Sequence, residues 1–223
     1  MTNLETTIER LRDSEVAAAI RRQRLIVVLR RVAPTERLVE LVLSLADAGA
    51  RIFEVTFDAP TAATDLVACR EALGGTRAGA GLVGAGTIRT AAALDAACDA
   101  GADFVVSPLL DRAIVEAALR RGVPVIPGAF TPTEIDAAWR AGATFVKLFP
   151  ASSVGPGHVR ELRGPMPEVE LIPTGGIDGS SGPAFLAAGA VAVGIGSAIV
   201  NASPAERASI LAAVRGAAPV PVS

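Results

Sequence analysis

The chain has 223 residues, 51% of them hydrophobic and only 4% aromatic, enough for an aliphatic core in one large α/β domain or two small ones. A formal net charge of −2, with the basic residues scattered along the chain, argues against a nucleic-acid partner, which needs a concentrated basic stripe. No apolar run has the length that spans a bilayer, and the amino-terminal Glu5, Glu9, Arg10 and Arg12 lack a signal peptide's apolar centre, so we expect a cytoplasmic protein with no membrane partner.

Residues 4–21 space Leu4, Ile8, Leu11, Val16 and Ile20 between charges, which predicts one leading amphipathic helix within an amino-terminal segment of residues 1–24. Leu25–Leu29 is a short, β-rich run ending in Arg30 and Arg31. Residues 34–48 then carry Leu38, Leu41, Val42 and Leu45 at helical intervals until Gly49 closes the helix. The cycle repeats. Gly49, Gly101, Gly122, Gly142 and Gly189 each precede an apolar run, as expected where a left-handed glycine caps a helix and a parallel strand follows.

Eight strands are predicted, at 25–29, 52–56, 82–85, 104–107, 125–127, 145–148, 171–173 and 192–195. Thr131, Pro132 and Glu134 have the spacing of a capping box with proline at the first helical position, and Trp139 reads as a packing residue on that helix. Residues 203–215 predict a closing helix, followed by a frayed tail at 217–223. Strands alternating with helices, without a low-complexity linker, favour an α/β (β/α)8 TIM barrel in a single domain over 1–223, with an open doubly wound sheet as the alternative. Cys69 and Cys98 fall in helical stretches, lack metal-ligand spacing and read as free thiols.

The chain has 21 basic residues, and one of them, Lys147, is a lysine. It stands in the apolar run Thr144-Phe145-Val146-Lys147-Leu148-Phe149-Pro150, where an ammonium is expensive to desolvate. A guanidinium cannot condense with a ketone and an amine can, so Lys147 is a candidate Schiff-base nucleophile; the alternative is a surface lysine. Side chains of a strand alternate between faces, so Phe145, Lys147 and Phe149 share one, as do Ile52, Glu54 and Thr56. If both faces turn inward, Glu54 meets Lys147 as a proton relay. Otherwise Glu54 is a structural partner for an arginine such as Arg30.

Thr174-Gly175-Gly176 after the seventh strand and Gly194-Ile195-Gly196-Ser197 at the eighth stand where barrels bind phosphate through backbone N–H groups, although glycines are also ordinary in tight turns. Gly84-Ala85-Gly86-Thr87 offers backbone room with a hydroxyl at its edge. His158, the only histidine, reads as an exposed bystander at a helix start.

Seven motifs occur in order across residues 25–200: Glu54-Val55-Thr56, Val83-Gly84-Ala85-Gly86-Thr87, Phe104-Val105-Val106-Ser107-Pro108, Ile126-Pro127-Gly128, Thr131-Pro132-Thr133-Glu134, Lys147-Leu148-Phe149-Pro150 and Pro173-Thr174-Gly175-Gly176-Ile177. Together they resemble the 2-keto-3-deoxy-6-phosphogluconate (KDPG) aldolases and their relatives acting on the galactonate epimer. The resemblance implies a metal-independent class I aldolase without cofactor, on a (β/α) barrel that assembles as a homotrimer. Its substrate would be a phosphorylated keto acid, cleaved to pyruvate and glyceraldehyde 3-phosphate. By the same resemblance Lys147 is the Schiff-base lysine and Glu54 the general acid/base. Thr87 and Pro108 line the pyruvate end, Phe149 packs beside the imine, and Thr174, Gly175, Gly176, Gly196 and Ser197 lie at the phosphate. One position departs from the pattern. Many relatives carry an arginine after Glu-Val-Thr-Leu, whereas here Glu54-Val55-Thr56-Phe57 is followed by Asp58, leaving Arg30 to supply the charge for the substrate's anion. An isomerase or epimerase on the same scaffold, or a non-catalytic sugar-phosphate binding protein, would need no imine.

Overall fold

The computed structural model describes residues 3–74 and 81–217. Its leading stretch forms two helices, α1 (Asn3–Arg12) and α2 (Glu15–Gln23), where the spacing predicts one. Ser14 makes the break, because its hydroxyl donates to Leu11 O at 2.7 Å and accepts from Ala17 N at 3.2 Å, ending α1 and capping α2.

Strand and helix then alternate as β1 (Leu25–Leu29), α3 (Thr35–Asp47), β2 (Ile52–Thr56), α4 (Ala62–Ala72), β3 (Leu82–Gly86), α5 (Ala91–Asp99), β4 (Val105–Val106) and α6 (Arg112–Arg121). There follow β5 (Val125–Ile126), β6 (Gly128–Ala129), α7 (Pro132–Arg140), β7 (Lys147–Leu148), α8 (Gly155–Arg163), α9 (Gly182–Ala187), β8 (Val193–Ile195), α10 (Ser197–Val200) and α11 (Pro204–Gly216). Helix α7 begins with the expected capping box between Thr131 and Glu134, and α11 with another between Ser203 and Glu206. Trp139 packs beneath the Arg12 guanidinium, 3.5 Å from its ring centroid. The expected frayed tail lies outside the described residues, apart from Ala217.

Among the described residues, six strands form a curled parallel sheet in the order β5, β4, β3, β2, β1, β8, and β6 pairs separately with β7. Two of the predicted strands differ from expectation. Pro127 has no N–H to donate, and the fifth run divides there into β5, which pairs with β4, and β6, which pairs with β7. The run 171–173 is no regular strand but is tied in by the bridges Val146↔Leu171 and Thr174↔Gly194, since Pro173 again lacks a donor. Backbone hydrogen bonds still cross it: Leu148 N donates to Ile172 O at 3.2 Å, Thr174 N to Leu148 O at 3.0 Å and Gly194 N to Pro173 O at 2.9 Å.

Two buried clusters follow from the period of two along each strand. The larger lies between strands and helices and contains Val27, Leu29, Phe53, Val55, Val146, Leu148, Val193 and Ile195. The smaller contains the alternate residues Ile26, Ile52, Phe104, Val106, Ile126, Phe145, Ile172 and Ala192, closed by Ala17 and Ile20 of α2. Each large side chain buried there stabilises the fold by roughly 1.5–3 kcal/mol. Helix α2 is clamped over this end by the Arg21–Glu170 ion pair, 2.5 Å long. Glu54 and Lys147 lie two residues beyond Ile52 and Phe145, and so toward the opposite end of the same enclosed face. No helix among the described residues is long and apolar enough to cross a membrane.

Candidate active site

Strands β2 and β7 deliver Glu54 and Lys147 to one point. Lys147 Nζ lies 3.8 Å from Glu54 Oε1, and the two side chains are 5% and 3% exposed. That separation exceeds a hydrogen bond. Glu54 Oε1 is buried and has no hydrogen-bond partner among the described residues. A buried carboxylate oxygen left unbonded is costly and calls for an explanation. Phe149, the next residue on the Lys147 face, places its ring centroid 5.3 Å from Nζ and walls the amine on one side.

Room for the carboxylate comes from β3, where a methyl group on Gly86 would overlap Glu54. Gly86 was legible only as part of a glycine-bearing run, because its service to Glu54 acts across two strands. Thr87 follows at φ +59, in the left-handed region, and its Oγ1 lies 3.5 Å from Arg30 Nη2. Arg30, the first residue after β1, pairs with Asp58 and not with Glu54: Arg30 Nη1 is 3.4 Å from Asp58 Oδ2, and Arg31 Nε is 3.0 Å from the same oxygen. Glu54 is therefore no structural partner of Arg30. Partial burial would raise the Asp58 carboxyl, but the Thr56 hydroxyl, donating at 2.7 Å, and the charges of Arg30 and Arg31 outweigh it and hold Asp58 below the usual carboxylate range.

The glycine loops converge at the same end of the strands. Gly175 and Gly176 follow at φ +92 and +71, a pair of left-handed conformations that glycine adopts at no steric cost. A Cβ on Gly175 would sit 3.0 Å from the Phe149 ring, and one on Gly176 2.6 Å from Ser152 Cβ. Thr174 is buried and bridges to Gly194, and Gly196 leads directly into α10, which Ser197 opens. Pro108, in the loop after β4, presses against Gly128, where a side chain would overlap the Pro108 backbone. Neither Pro108 nor Ser197 hydrogen-bonds to Lys147 or Glu54 among the described residues. His158 is half-buried rather than exposed, because it lies in α8 beside the core residues Val159 and Leu162; its Nε2 has no partner among the described residues. Among the described residues no group of three or more His, Cys, Asp and Glu is placed to hold a metal ion.

The sequence model of the aldolase family described as KDPG and KHG aldolase matches residues 16–213. Over 119 residues the chain is 37% identical to the probable 2-dehydro-3-deoxy-6-phosphogalactonate aldolase of Rhizobium meliloti, a match covering 53% of this chain and 56% of the relative. The chain thus spans a little over half of that relative's length. Over 153 residues it is 39% identical to the 2-dehydro-3-deoxy-phosphogluconate aldolase of Treponema pallidum, covering 68% of this chain and 69% of the relative. In structure it is similar to the KDPG aldolase of Legionella pneumophila, solved with pyruvate captured at low pH as a covalent carbinolamine intermediate, with a TM-score of 0.77 and 25% identity over 92% of this chain and 98% of the other.

Proposed function

The chain belongs to the KDPG and KHG aldolase family, and we propose that it is a class I aldolase that cleaves 2-keto-3-deoxy-6-phosphogluconate to pyruvate and glyceraldehyde 3-phosphate through an imine on Lys147. One observation carries the proposal: a buried amine and a buried carboxylate 3.8 Å apart, the carboxylate oxygen having no other partner among the described residues. The carbinolamine in the Legionella relative supports amine attack on a 2-keto acid in this family.

In this mechanism neutral Lys147 attacks the C2 ketone, and Glu54 helps to move the protons of carbinolamine formation and dehydration. The resulting iminium withdraws electrons from C3. Glu54 takes the C4 hydroxyl proton as the C3–C4 bond breaks, its electron pair passing into an enamine and leaving glyceraldehyde 3-phosphate. Protonation at C3 and hydrolysis release pyruvate and restore the amine. Phe149 excludes water beside the imine. Thr87 and Pro108 line the pyruvate end, Arg30 holds the anion there, and Thr174, Gly175, Gly176, Gly196 and Ser197 hold the phosphate.

The galactonate epimer is the second candidate substrate, because the Rhizobium relative, 37% identical, is named for it, and 4-hydroxy-2-oxoglutarate is the third. We further propose that the curled sheet, the β6–β7 pair and the bridged run 171–173 close as one (β/α)8 barrel domain, and that the chain works without cofactor as a cytoplasmic homotrimer. Borohydride reduction in the presence of pyruvate, read by peptide mass spectrometry, tests the imine. A stable adduct on Lys147 is expected. An unmodified Lys147 would instead favour an isomerase or a binding protein. Comparing kcat/KM for the three acids assigns the substrate.

A further inference from the structure

Arg30 and Arg31 are consecutive, and in extended backbone consecutive side chains point to opposite faces. Here they meet on one atom, with Arg30 Nη1 at 3.4 Å and Arg31 Nε at 3.0 Å from Asp58 Oδ2. The backbone makes this possible, since Arg31 sits at φ +50 in the left-handed region. An L side chain enters that region at a steric cost, whereas glycine enters it freely. A loop needing only the turn would be served by glycine. A guanidinium kept there points to a use for the side chain.

The carboxylate that the two arginines share is firmly held. Asp58 Oδ1 accepts from Thr56 Oγ1 at 2.7 Å, and Thr56 is buried in β2. Just beyond, buried Asp65 accepts from Thr35 Oγ1 at 2.6 Å and from Thr61 Oγ1 at 2.7 Å. Thr35 begins α3 and Thr61 immediately precedes α4, so one carboxylate staples the loop carrying Arg30 and Arg31 to the loop carrying Asp58.

Charge then decides what the trio can do. Asp58 beside Arg30 alone would be a neutral pair, of little use to an anion. With Arg31 included, one net positive charge remains. Arg37 and Glu40 line the adjoining cavity of about 490 Å³ and offset each other, while Arg207, also on its wall, is occupied by Ile199 O and Val200 O. We infer that Arg31 is the counter-charge for Asp58, neutralising the carboxylate so that Arg30 keeps its charge for the anionic end of a keto-acid substrate. This role rests on the aldolase function proposed above, and Arg31 is a positioning residue within it, since it acts through Arg30.

The test is steady-state kinetics on Arg31→Ala, Asp58→Asn and the double variant, at low and high salt, with whichever 2-keto-3-deoxy acid the wild-type protein cleaves. Arg31→Ala leaves Asp58 to Arg30 alone and is expected to raise KM about two- to fivefold with kcat near the wild-type value, the scale of an exposed charge pair. Asp58→Asn keeps an acceptor for Thr56 but removes the opposing charge, so its KM stays at or below that of wild type. In the double variant KM returns to the wild-type value, and the differences shrink at high salt. An unchanged KM for Arg31→Ala, or a double variant as impaired as Arg31→Ala, would overturn the inference while leaving the aldolase function standing. A protein that cleaves none of these acids would overturn both.

Discussion

Glu54 fills the space that a side chain at Gly86 would need, since a methyl group there would overlap the Glu54 carboxylate. The two residues sit on neighbouring strands in the register Glu54↔Gly84 and Thr56↔Gly86. Gly86→Ala must therefore push the carboxylate away from its position beside Lys147. We expect kcat to fall at least about tenfold, at a cost in stability of about 1–3 kcal/mol from overpacking. Glu54→Gln, which keeps shape and removes the proton relay, is expected to lower kcat by about 10²- to 10⁴-fold. Kinetics and thermal melts on both variants check this; unchanged turnover in Glu54→Gln would return Glu54 to a structural role.

Lys147→Arg is expected to abolish the borohydride-trapped pyruvate adduct, because it retains the charge and loses the condensing amine. A cooperative melt would show that the fold survives. An adduct still formed by this variant would end the Schiff-base assignment. Exhaustive chelation is expected to leave turnover intact, and activity lost with EDTA and restored by a divalent ion would favour metal-assisted enolate chemistry instead.

Arg30→Ala is expected to raise KM for the anionic substrate, a charge-assisted hydrogen bond being worth roughly 1.5–3 kcal/mol, or about ten- to a hundredfold in kcat/KM. Asp58→Arg on that background should recover part of the loss, because it puts a guanidinium on the neighbouring loop in place of the Asp58 carboxylate. If Arg30 only braces Asp58, its removal will lower the melting temperature and leave KM unchanged.

Asp178 accepts from Ser181 N, from the Ser180 hydroxyl and from the Ser181 hydroxyl, which together bring its carboxyl down from 3.8 to about 2. A depressed carboxyl stabilises the fold above its unfolded value and loses that contribution as pH falls through the folded one. Wild type should therefore exceed Asp178→Asn in urea midpoint by a constant margin above pH 4, and the margin should close between about pH 4 and pH 2. A margin independent of pH would show that charge at Asp178 is immaterial.

Burial, with a smaller contribution from the Asp65 charge, pushes the Cys69 thiol up to about 12, and the side chain has no exposure to solvent. Cys69 should resist thiol reagents in the native protein and react only on unfolding, whereas Cys98, half-buried at the end of α5, should label first. Peptide mapping after timed alkylation distinguishes the two, and equal labelling rates would contradict the packing around Cys69.

The features readable from the chain alone are those set by local backbone physics. A period of two put Ile52, Glu54 and Thr56 on one face and Phe145, Lys147 and Phe149 on another, and the Thr131–Glu134 capping box marked the start of α7, because alternation and capping act within a few residues. The single lysine among 21 basic residues likewise needed no structure to stand out. Two features of equally local origin went unread: the Ser14 hydroxyl, bonded to residues three positions to either side, cut one expected helix into two, and Pro127, with no N–H to donate, divided one run between two neighbouring strands. The charge partners were beyond the reach of sequence. Whether Glu54 would face Lys147 or Arg30 depended on distances across the sheet, and the left-handed turn at Arg31 that brings a second guanidinium to Asp58 is not encoded in residue spacing. Electrostatic pairing acts through space with a steep dependence on separation, so only the packed fold could decide it.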